Sequence, residues 1–250
     1  MFSKEQNTLP QTNFSSRIRP LCLAVAASFG VSLLSSVHLA QANPAVPVVT
    51  SGGATFQTLG KTLTVTNTPG AIINWQSFSI GRGETTYFQQ QSAASTVLNR
   101  VRGQDPSVIL GNLGSNGRVF LVNANGIVFG AGSRIDTQGL IASTLNISDA
   151  DFKRGLLKFN KEGAAGSIRV DGFVNAGSGD VYIIAPNVTV GREGVIKTEG
   201  GNVVLAAGEK IEIGSRNLND MKFEVQAAVN QAQVRGKLSG GAVGVFAGTL

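Results

Sequence analysis

Residue types that carry out catalysis are scarce in this sequence of 250 residues. The one histidine, His38, and the one cysteine, Cys22, both lie within the first 42 residues. Thiol nucleophiles and cysteine-ligated zinc are therefore excluded from the rest of the chain. Asp149 and Asp151 come closest to a calcium-binding pair, but further ligands are lacking near them. We therefore expect no catalytic residues, no metal ion and no cofactor.

The segment NANGIVFG, residues 123–130, places two asparagine amides next to a glycine. Asn and Gly favour tight turns, and the Ile-Val-Phe that follows has the composition of a short β-strand. Closely spaced amides can also serve as a recognition site. The segment therefore has two compatible interpretations, a bend in the chain and a mark that a partner reads. The residues concerned are Asn123, Ala124, Asn125, Gly126 and Ile127.

The formal net charge of +6 arises from 21 basic and 15 acidic residues. A basic chain invites comparison with nucleic-acid-binding proteins. However, the basic residues are scattered and form no run, and Lys4, Arg17 and Arg19 lie in the N-terminal 42 residues. Nucleic acid is therefore not an expected partner.

Residues 1–42 have the organisation of a secretory signal peptide. A polar start with a basic bias precedes an apolar run at 21–34, and Ala40-Gln41-Ala42 fits the small-x-small rule for cleavage. We expect cleavage after Ala42, which makes Asn43 the first residue of the mature chain. The alternative, a membrane anchor, is disfavoured because the apolar run is short and interrupted by serines.

After Asn43 the sequence becomes a succession of short alternating segments separated by Gly, Asn or Asp. RVFLVN (118–123), DVYIIA (180–185) and KIEIG (210–214) are examples. Their alternation and β-branched content are typical of strands. Helical periodicity is rare, and residues 106–113 and 148–159 are the candidates for single helical turns.

These strands repeat. A glycine-rich pattern that begins at Gly130 recurs at Gly191, an offset of 61, and GDVYIIA recurs as GNVVLAA at an offset of 22. An offset of 61 is close to three units of roughly 20 residues. The predicted unit is therefore roughly 20 to 22 residues, which is one turn of a β-solenoid. A β-sandwich is the rival fold but gives no reason for these offsets. We expect residues 43 to about 60 to cap the first coil and residues 216–250 to form further coils, the start of a truncated repeat region.

The aromatic residues and the carboxylates each have a functional and a structural interpretation. The aromatic residues of the segment 75–88 either stack against sugars or fill one end of the solenoid core, and core filling is favoured. Solenoid enzymes that cleave polysaccharides cluster carboxylates on one face, whereas the aspartates here do not recur at the coil spacing. The aromatic residues are Trp75, Phe78, Tyr87 and Phe88, and the aspartates are Asp105, Asp136, Asp149, Asp151, Asp171 and Asp180.

Two segments resemble the N-terminal domain of filamentous haemagglutinin-type proteins, the large exoproteins of two-partner secretion. They are NWQSFSIGRGETTYFQQ (74–90) and the segment 95–152, which contains the Leu-Asn-Arg triplet (98–100), Asp-Pro-Ser (105–107) and GLIASTL (139–145). The resemblance extends from about residue 50 to residue 215. It implies an all-β fold, a right-handed parallel β-helix with an N-terminal cap, and a two-partner secretion domain over residues 43–215.

The resemblance also implies a function. Such domains are secretion signals that a cognate outer-membrane β-barrel transporter binds in the periplasm of a Gram-negative bacterium while the chain is extended. The domain then folds into a β-helix at the cell surface. The parent proteins include adhesins, haemolysins, haem-acquisition proteins and contact-dependent toxins, and an adhesin would have host or cell-surface glycans as partners.

The family motif Asn-Pro-Asn-Gly corresponds here to Asn123-Ala124-Asn125-Gly126, so proline is replaced by alanine. Proline would preform the bend, and alanine allows the same bend at an entropic cost of ~0.5–1 kcal/mol. Ala185-Pro186-Asn187 aligns with this site and has proline in the middle.

Three hypotheses follow from the sequence. The first is a secretion and adhesion module without catalytic activity. The alternatives are a β-solenoid carbohydrate-active enzyme, which would cleave acidic polysaccharides, and a structural fibre subunit, which would polymerise end to end without a transporter.

Overall fold

The computed structural model describes residues 43–214, 221–224 and 230–248. The predicted signal peptide (1–42) and the predicted domain boundary at residue 215 lie outside the described residues. Within the described part of the chain nearly all regular structure is β-strand, with one short helix, α1 (Asp149–Lys153). The strands form four sheets, named A to D below.

Sheets A, B and C form the three faces of a coil. Sheet A consists of β1 (Ala45–Ser51), β4 (Ala71–Ser77), β6 (Thr96–Val101), β9 (Arg118–Val122), β12 (Gly139–Ser143), β17 (Val181–Ala185), β20 (Asn202–Ala207) and β25 (Ala242–Phe246). Sheet B consists of β2 (Ala54–Leu59), β3 (Thr62–Asn67), β5 (Thr85–Gln89), β8 (Asn112–Ser115), β11 (Arg134–Asp136), β16 (Phe173–Asn175), β19 (Val195–Lys197) and β24 (Lys237–Ser239). Sheet C consists of β7 (Ser107–Ile109), β10 (Ile127–Phe129), β15 (Ile168–Val170), β18 (Asn187–Val190) and β23 (Gln231–Val234).

The chain visits sheets A, C and B in turn and then returns to sheet A one strand further along. After β9, β10 and β11, for example, β12 pairs in parallel with β9, with Leu140 opposite Val119. Each circuit is one coil, and the stack of coils is a parallel β-helix. The all-β, β-solenoid prediction is therefore confirmed.

Alternate side chains of the coil strands point into a shared interior, the inner core. Val119, Ile127 and Ile135 each mark one of the three faces of a single coil, and all three are wholly buried. The inner core is continuous from Leu63 to Leu205. Period-two alternation in the sequence arises because a strand turns successive side chains to opposite faces of its sheet.

The repeat that relates Gly130 to Gly191 spans two coils, not three. Along sheet B, Ile135 pairs with Val174 and Val174 pairs with Ile196, so two steps cover this distance. The first step is much longer than the second because that coil contains an insertion that leaves the β-helix. Coils without an insertion have the predicted length, as the pairing of Val119 with Leu140 shows.

Two insertions, which are called excursions below, form sheet D outside the coil. The first excursion contains β13 (Asn146–Ile147), α1 and β14 (Leu157–Asn160), and the second contains β21 (Lys210–Ile213) and β22 (Met221–Glu224). All pairing in sheet D is antiparallel, and β14 pairs with β21 so that the two excursions are joined. Segments separated by most of two coils therefore meet on the outside of sheet A.

The excursions cover the outward face of sheet A and create a second hydrophobic cluster, the outer core. Leu98, Phe120 and Ile184 of sheet A belong to it, together with Phe152 and Phe159 of the first excursion. The rings of Phe120 and Phe152 meet edge to face, with centroids 5.0 Å apart. Sheet A is consequently buried on both faces along much of its length.

Arg100 fastens the first excursion to the coil. Its side chain is 6% exposed and its Nη1 lies 2.8 Å from Oδ1 of Asp149. Nε donates to Oδ1 of Asn146 (3.1 Å) and Nη2 donates to the backbone oxygen of Ile147 (2.7 Å). One guanidinium thus satisfies three acceptors at the start of the excursion.

The N-terminal strands close the first coil with antiparallel pairing. β1 pairs with β4 and β2 pairs with β3, whereas the coil strands pair in parallel. Phe56 of β2 meets Trp75 edge to face with ring centroids 5.6 Å apart, and Trp75 meets Phe78 in the same way at 5.5 Å. Residues 45–59 therefore form the predicted cap.

Core filling, rather than sugar stacking, is confirmed for three of the four aromatic residues, Trp75, Phe78 and Phe88. Trp75 and Phe78 are 1% exposed and Phe88 is wholly buried. Tyr87 alternates with Phe88 on β5 and is half-buried on the outer face of sheet B. Three of the four rings therefore offer no surface to a ligand.

The helical turn predicted for 106–113 is wrong, because this segment forms β7 and the start of β8. Parallel pairing with β10 and β11 outweighs its weak helical pattern. The prediction for 148–159 holds for α1, after which the chain returns as β14. In the described residues no helix is long and apolar enough to cross a membrane.

Candidate functional site

The segment Asn123–Ile127 forms the corner between β9 of sheet A and β10 of sheet C. The amide of Gly126 donates to the backbone oxygen of Asn123 at 3.2 Å, which closes a four-residue turn. Ala124 and Asn125 are exposed at its tip, while Asn123, Gly126 and Ile127 are buried. Ile127 starts β10 and points into the inner core.

The side chain of Asn123 is wholly buried and uses both ends of its amide. Nδ2 donates to the backbone oxygen of Asp105 and to Oγ of Ser107, both at 3.0 Å. Oδ1 accepts from the backbone amide of Asn125 at 2.9 Å, which is an Asx-turn. Asn123 therefore shapes its own corner and ties it to the preceding coil.

Neighbouring coils hold the tip of the turn from both sides. Nδ2 of Asn125 donates to the backbone oxygen of Gly103 at 2.8 Å, and the amide of Gly166 donates to the backbone oxygen of Ala124 at 2.7 Å. A Cβ on Gly166 would lie 2.6 Å from the oxygen of Asn125, so the next coil approaches closely only because residue 166 is glycine.

The backbone conformation explains the glycine of the motif, and the sign of φ at residue 124 is the one that proline has. Gly126 has φ of 120°, a backbone angle that residues other than glycine rarely adopt. Val46 is the non-glycine residue with positive φ among the described residues, so φ of Ala124 has the negative sign that proline requires. The amide of Ala124 donates no hydrogen bond within the described part of the chain.

The same corner recurs two coils further on. Val122 aligns through Ser143 with Ile184, and Ile127 aligns through Ile168 with Val188. Residues 185–187 therefore occupy the corner that corresponds to 123–126, with one residue fewer. Pro186 stands where Ala124 stands in the earlier coil.

Of the three residues at the predicted cleavage site, Asn43 falls in the described part of the chain, whereas Ala40 and Ala42 lie outside it. Nδ2 of Asn43 donates to the backbone oxygen of Lys61 at 3.3 Å, and its Oδ1 accepts from Oγ1 of Thr86 at 3.2 Å. The side chain of Asn43 thus contacts Thr86 of β5 and Lys61, the residue that precedes β3. Cleavage after Ala42 stays a prediction.

Sequence reasoning missed the residues that complete the corner from neighbouring coils, namely Gly103, Asp105, Ser107 and Gly166. A signal for two of them existed in the Asp-Pro-Ser triplet, which supplies both acceptors for Nδ2 of Asn123. The carboxylates are kept apart. Asp136, Asp149 and Asp171 pair separately with Arg134, Arg100 and Arg169. In the regions described, no group of His, Cys, Asp or Glu side chains could hold a metal ion.

The fold is a capped parallel β-helix with glycine corners and two outer excursions. The crystal structure of the HMW1 secretion domain from Haemophilus influenzae matches it with a TM-score of 0.76 at 34% identity, over 81% of this chain and 55% of that chain. Residues 39–245 match the family model for the TPS secretion domain. The chain belongs to this family, the secretion domains of two-partner secretion exoproteins.

Curated relatives agree with this assignment. A heme/hemopexin-binding protein of Haemophilus influenzae is 31% identical over 193 residues, which are 74% of this chain and 21% of that protein. A second protein of that name from the same species is 39% identical over 77 residues, 31% of this chain and 8% of that protein. The chain therefore spans about a fifth or less of their length.

Membership of the family confirms the resemblance found in the sequence. Exoproteins of this family pass through the periplasm and the outer membrane to the cell surface. A domain of this type implies a cognate outer-membrane transporter as its partner. A family of secretion domains also favours a non-enzymatic role.

Proposed function

We propose that the cognate outer-membrane β-barrel transporter binds this domain in the periplasm while the chain is extended, and that Asn123–Ile127 is part of what the transporter reads. The domain then folds into the β-helix at the cell surface. Signal-peptide cleavage after Ala42, a secretion domain over 43–215 and further coils over 216–250 belong to the same proposal.

The observation that carries this proposal is the complete burial of Asn123. In the folded domain its amide is occupied by Asp105, Ser107 and Asn125, so a partner has no access to it. Recognition of Asn123 therefore requires a chain whose coils have not yet formed. Folding and recognition would compete for the same amide.

The topology favours an extended state that lasts through export. The side-chain hydrogen bonds from the corner to the preceding coil join residues 16 to 22 positions apart, and β14 pairs with β21, some fifty residues further along the chain. A single coil has no neighbour against which to bury its apolar residues, so the chain stays extended until several coils can stack.

The decisive experiment separates recognition from stability at one corner. Asn123→Ala and Ser107→Ala both remove the hydrogen bond between these two side chains, but only the first changes the motif. Export is measured in cells that co-express the transporter, and stability by urea unfolding of refolded protein. We expect Asn123→Ala to reduce export far more than Ser107→Ala at matched stability. Equal export of the two variants would assign the motif to folding alone.

The domain limits have a separate test. Deleting residues 43–215 should abolish export of a passenger through the transporter, because this segment contains the corner and the first excursion. Persistent export of the shortened chain would refute the proposal that the secretion signal lies within 43–215.

The outer face of sheet B is the surface that we propose for cell-surface glycans in an adhesive parent protein. Arg134 lies over the ring of Phe173, 5.1 Å from its centroid, and pairs with Asp136. Asp136 also accepts a hydrogen bond from Asn175 at 2.9 Å. An aromatic ring beside amide and charged groups suits sugar hydroxyls and C–H faces. Loss of red-cell or glycan-array binding in Phe173→Ala, with folding retained, would support this surface, and unchanged binding would eliminate it.

Absence of catalysis is the remaining part of the proposal. Asp136, Asp149 and Asp171 are each paired with arginine, and the pKa of Asp151 is lowered by hydrogen bonds from Ser148 and Arg154. Paired carboxylates on different parts of the molecule make poor acid–base partners. Release of reducing ends from acidic polysaccharides would establish an enzyme, and end-to-end polymerisation without a transporter would establish a fibre subunit.

A further inference from the structure

A cavity of about 410 Å³ lies between the outer face of sheet A and the first excursion. Arg118, Phe120 and Tyr182 line it on the side of sheet A, near the starts of β9 and β17. Phe152 and Leu157 line it on the side of the excursion. Its volume falls within the range of sites that bind small molecules.

The apolar walls of this cavity are fixed by the outer core. Phe120 and Phe152 are each 6% exposed and pack edge to face at an interplanar angle of 78°. Tyr182 is 3% exposed on the neighbouring strand β17. Such walls suit the aliphatic or aromatic body of a ligand, because they gain contact without first having to rearrange.

Arg118 supplies a hydrogen-bond donor that the protein itself does not use. Its stem lies across Gly139, where an added Cβ would stand 3.0 Å from Cγ of Arg118. Nε is buried without a hydrogen-bond partner, and Arg118 forms no ion pair with any described residue. The positive charge of the Arg118 guanidinium is therefore not paired with any described residue, which suits an anionic group in the cavity.

The charges around the cavity favour an anionic acceptor. Lys153 adds a second cation to Arg118, and Asp180 is the one acidic residue among the described lining residues. Oδ1 of Asp180 accepts a hydrogen bond from the backbone amide of Asn202 at 2.8 Å. A carboxylate, phosphate or sulfate next to Arg118 would form a charge-assisted hydrogen bond.

We propose that this cavity binds a small amphiphile, with its anionic headgroup on Arg118 and its short apolar body against Phe120 and Phe152. A free fatty acid and a membrane lipid share this chemistry, and the folded domain meets both at the cell surface. The site exists only in the folded protein, so it does not depend on recognition of Asn123 by the transporter.

The test is calorimetric titration of the full chain with decanoate below its micellar concentration. We expect saturable binding at one site, roughly tenfold weaker in Arg118→Met, which keeps the stem over Gly139 but loses the guanidinium. Arg169→Met, on the outer face of sheet C, is the matched control and should bind like the parent chain. Absence of saturable binding, or equal binding by Arg118→Met and the parent chain, would overturn the proposal.

A second variant keeps the test valid if Arg118→Met fails to fold. Leu157→Trp retains Arg118 but fills the cavity, and it should abolish decanoate binding. Full decanoate affinity in folded Leu157→Trp would overturn the proposed location.

Vesicles of phosphatidylglycerol identify the source of the ligand. Binding of both decanoate and vesicles, each weakened by Arg118→Met, would indicate a membrane lipid, and binding of decanoate alone would indicate a free amphiphile. Binding of an acidic peptide without any binding of decanoate would overturn the proposal and assign the cavity to a protein partner.

Discussion

Sheets A and B run through the same coils, yet their strands differ in burial because a second layer covers only sheet A. All five positions of β12 and of β17 are buried. In β11 and β19 only the middle residue is buried. A strand covered on one face alternates, whereas a strand covered on both faces reads as a continuous apolar run. Apolar runs such as GLIAS and VYIIA are therefore explained by the excursions, which cover the outer face of these strands.

The same difference separates the inner core from the outer core. The inner core is built by every coil and is continuous along the β-helix. The outer core depends on two excursions, each of which leaves one coil of the described part of the chain. Loss of the inner core should unfold the whole domain, while loss of the outer core should first release sheet D.

Phe129→Ala should have the largest effect, because it truncates a wholly buried ring of the inner core next to the Asn123 corner. We expect the free energy of unfolding to fall by about 3–5 kcal/mol, from lost burial and the cavity left behind. Urea denaturation followed by far-ultraviolet circular dichroism measures this change. A loss below about 1 kcal/mol would show that the inner core is not a cooperative unit.

Phe159→Ala is the matched change in the outer core, since Phe159 is equally buried. We expect a smaller loss in global stability, roughly 2–3 kcal/mol, because sheet D can open without the coils. Hydrogen exchange should accelerate in β13, β14 and β21 before it does in β10. Uniform acceleration throughout the domain would mean that the two cores unfold together.

Arg100→Met tests the attachment between the two cores. Removing the guanidinium leaves the acceptors on Asn146 and Ile147 without their donor, at an expected cost of about 1–2 kcal/mol. The contribution of the ion pair itself is limited because Asp149 is 48% exposed. Arg154→Met, at an arginine that is 65% exposed, is the control and should change thermal stability little.

The cap of α1 gives a smaller, pH-dependent effect confined to the excursion. Oγ of Ser148 accepts from the amide of Asp151 and donates to its carboxylate, so Ser148→Ala should cost about 0.5–1 kcal/mol locally. The lowered pKa of Asp151 means that its stabilisation is present above the ordinary value of 3.8 and is lost as pH falls below it. Titration by NMR should show this transition in the parent chain and a weaker one in Ser148→Ala. An Asp151 pKa unchanged by Ser148→Ala would contradict the hydrogen bond as its cause.

Ala124→Pro should have an effect no larger than that of Ser148→Ala, and it should be stabilising. Proline restricts the unfolded chain at a position of negative φ whose amide makes no hydrogen bond in the described structure, for a gain of about 0.5–1 kcal/mol. Export should be intact or improved. Lost export with unchanged stability would mean that the transporter needs alanine at the tip of this turn, and lost stability would mean that the corner cannot accept proline.

The sequence predicted the inner core well, because alternation and repetition are local signals. It predicted the coil length from the recurrence of GDVYIIA as GNVVLAA, but the longer repeat from Gly130 to Gly191 was misread as three coils since an insertion has no period of its own. Residues 106–113 were misassigned because β7 and β8 are short strands stabilised by pairing with neighbouring coils. At the candidate site, Asn-x-Asn-Gly predicted a turn, but its contacts with Asp105, Ser107 and Gly166 come from other coils.

By itself the sequence determined a cysteine-free chain after Asn43, a succession of short strands with glycine corners, and the resemblance to two-partner secretion domains. Residue type and alternation suffice for these, because each depends on neighbours within a few positions. Only the tertiary structure decided which faces of the sheets are covered and that two excursions join as sheet D. It also decided that the side-chain amide of Asn123 is hydrogen-bonded within the folded domain. Those features depend on contacts between residues about 16 to 60 positions apart, and no local pattern encodes such pairings.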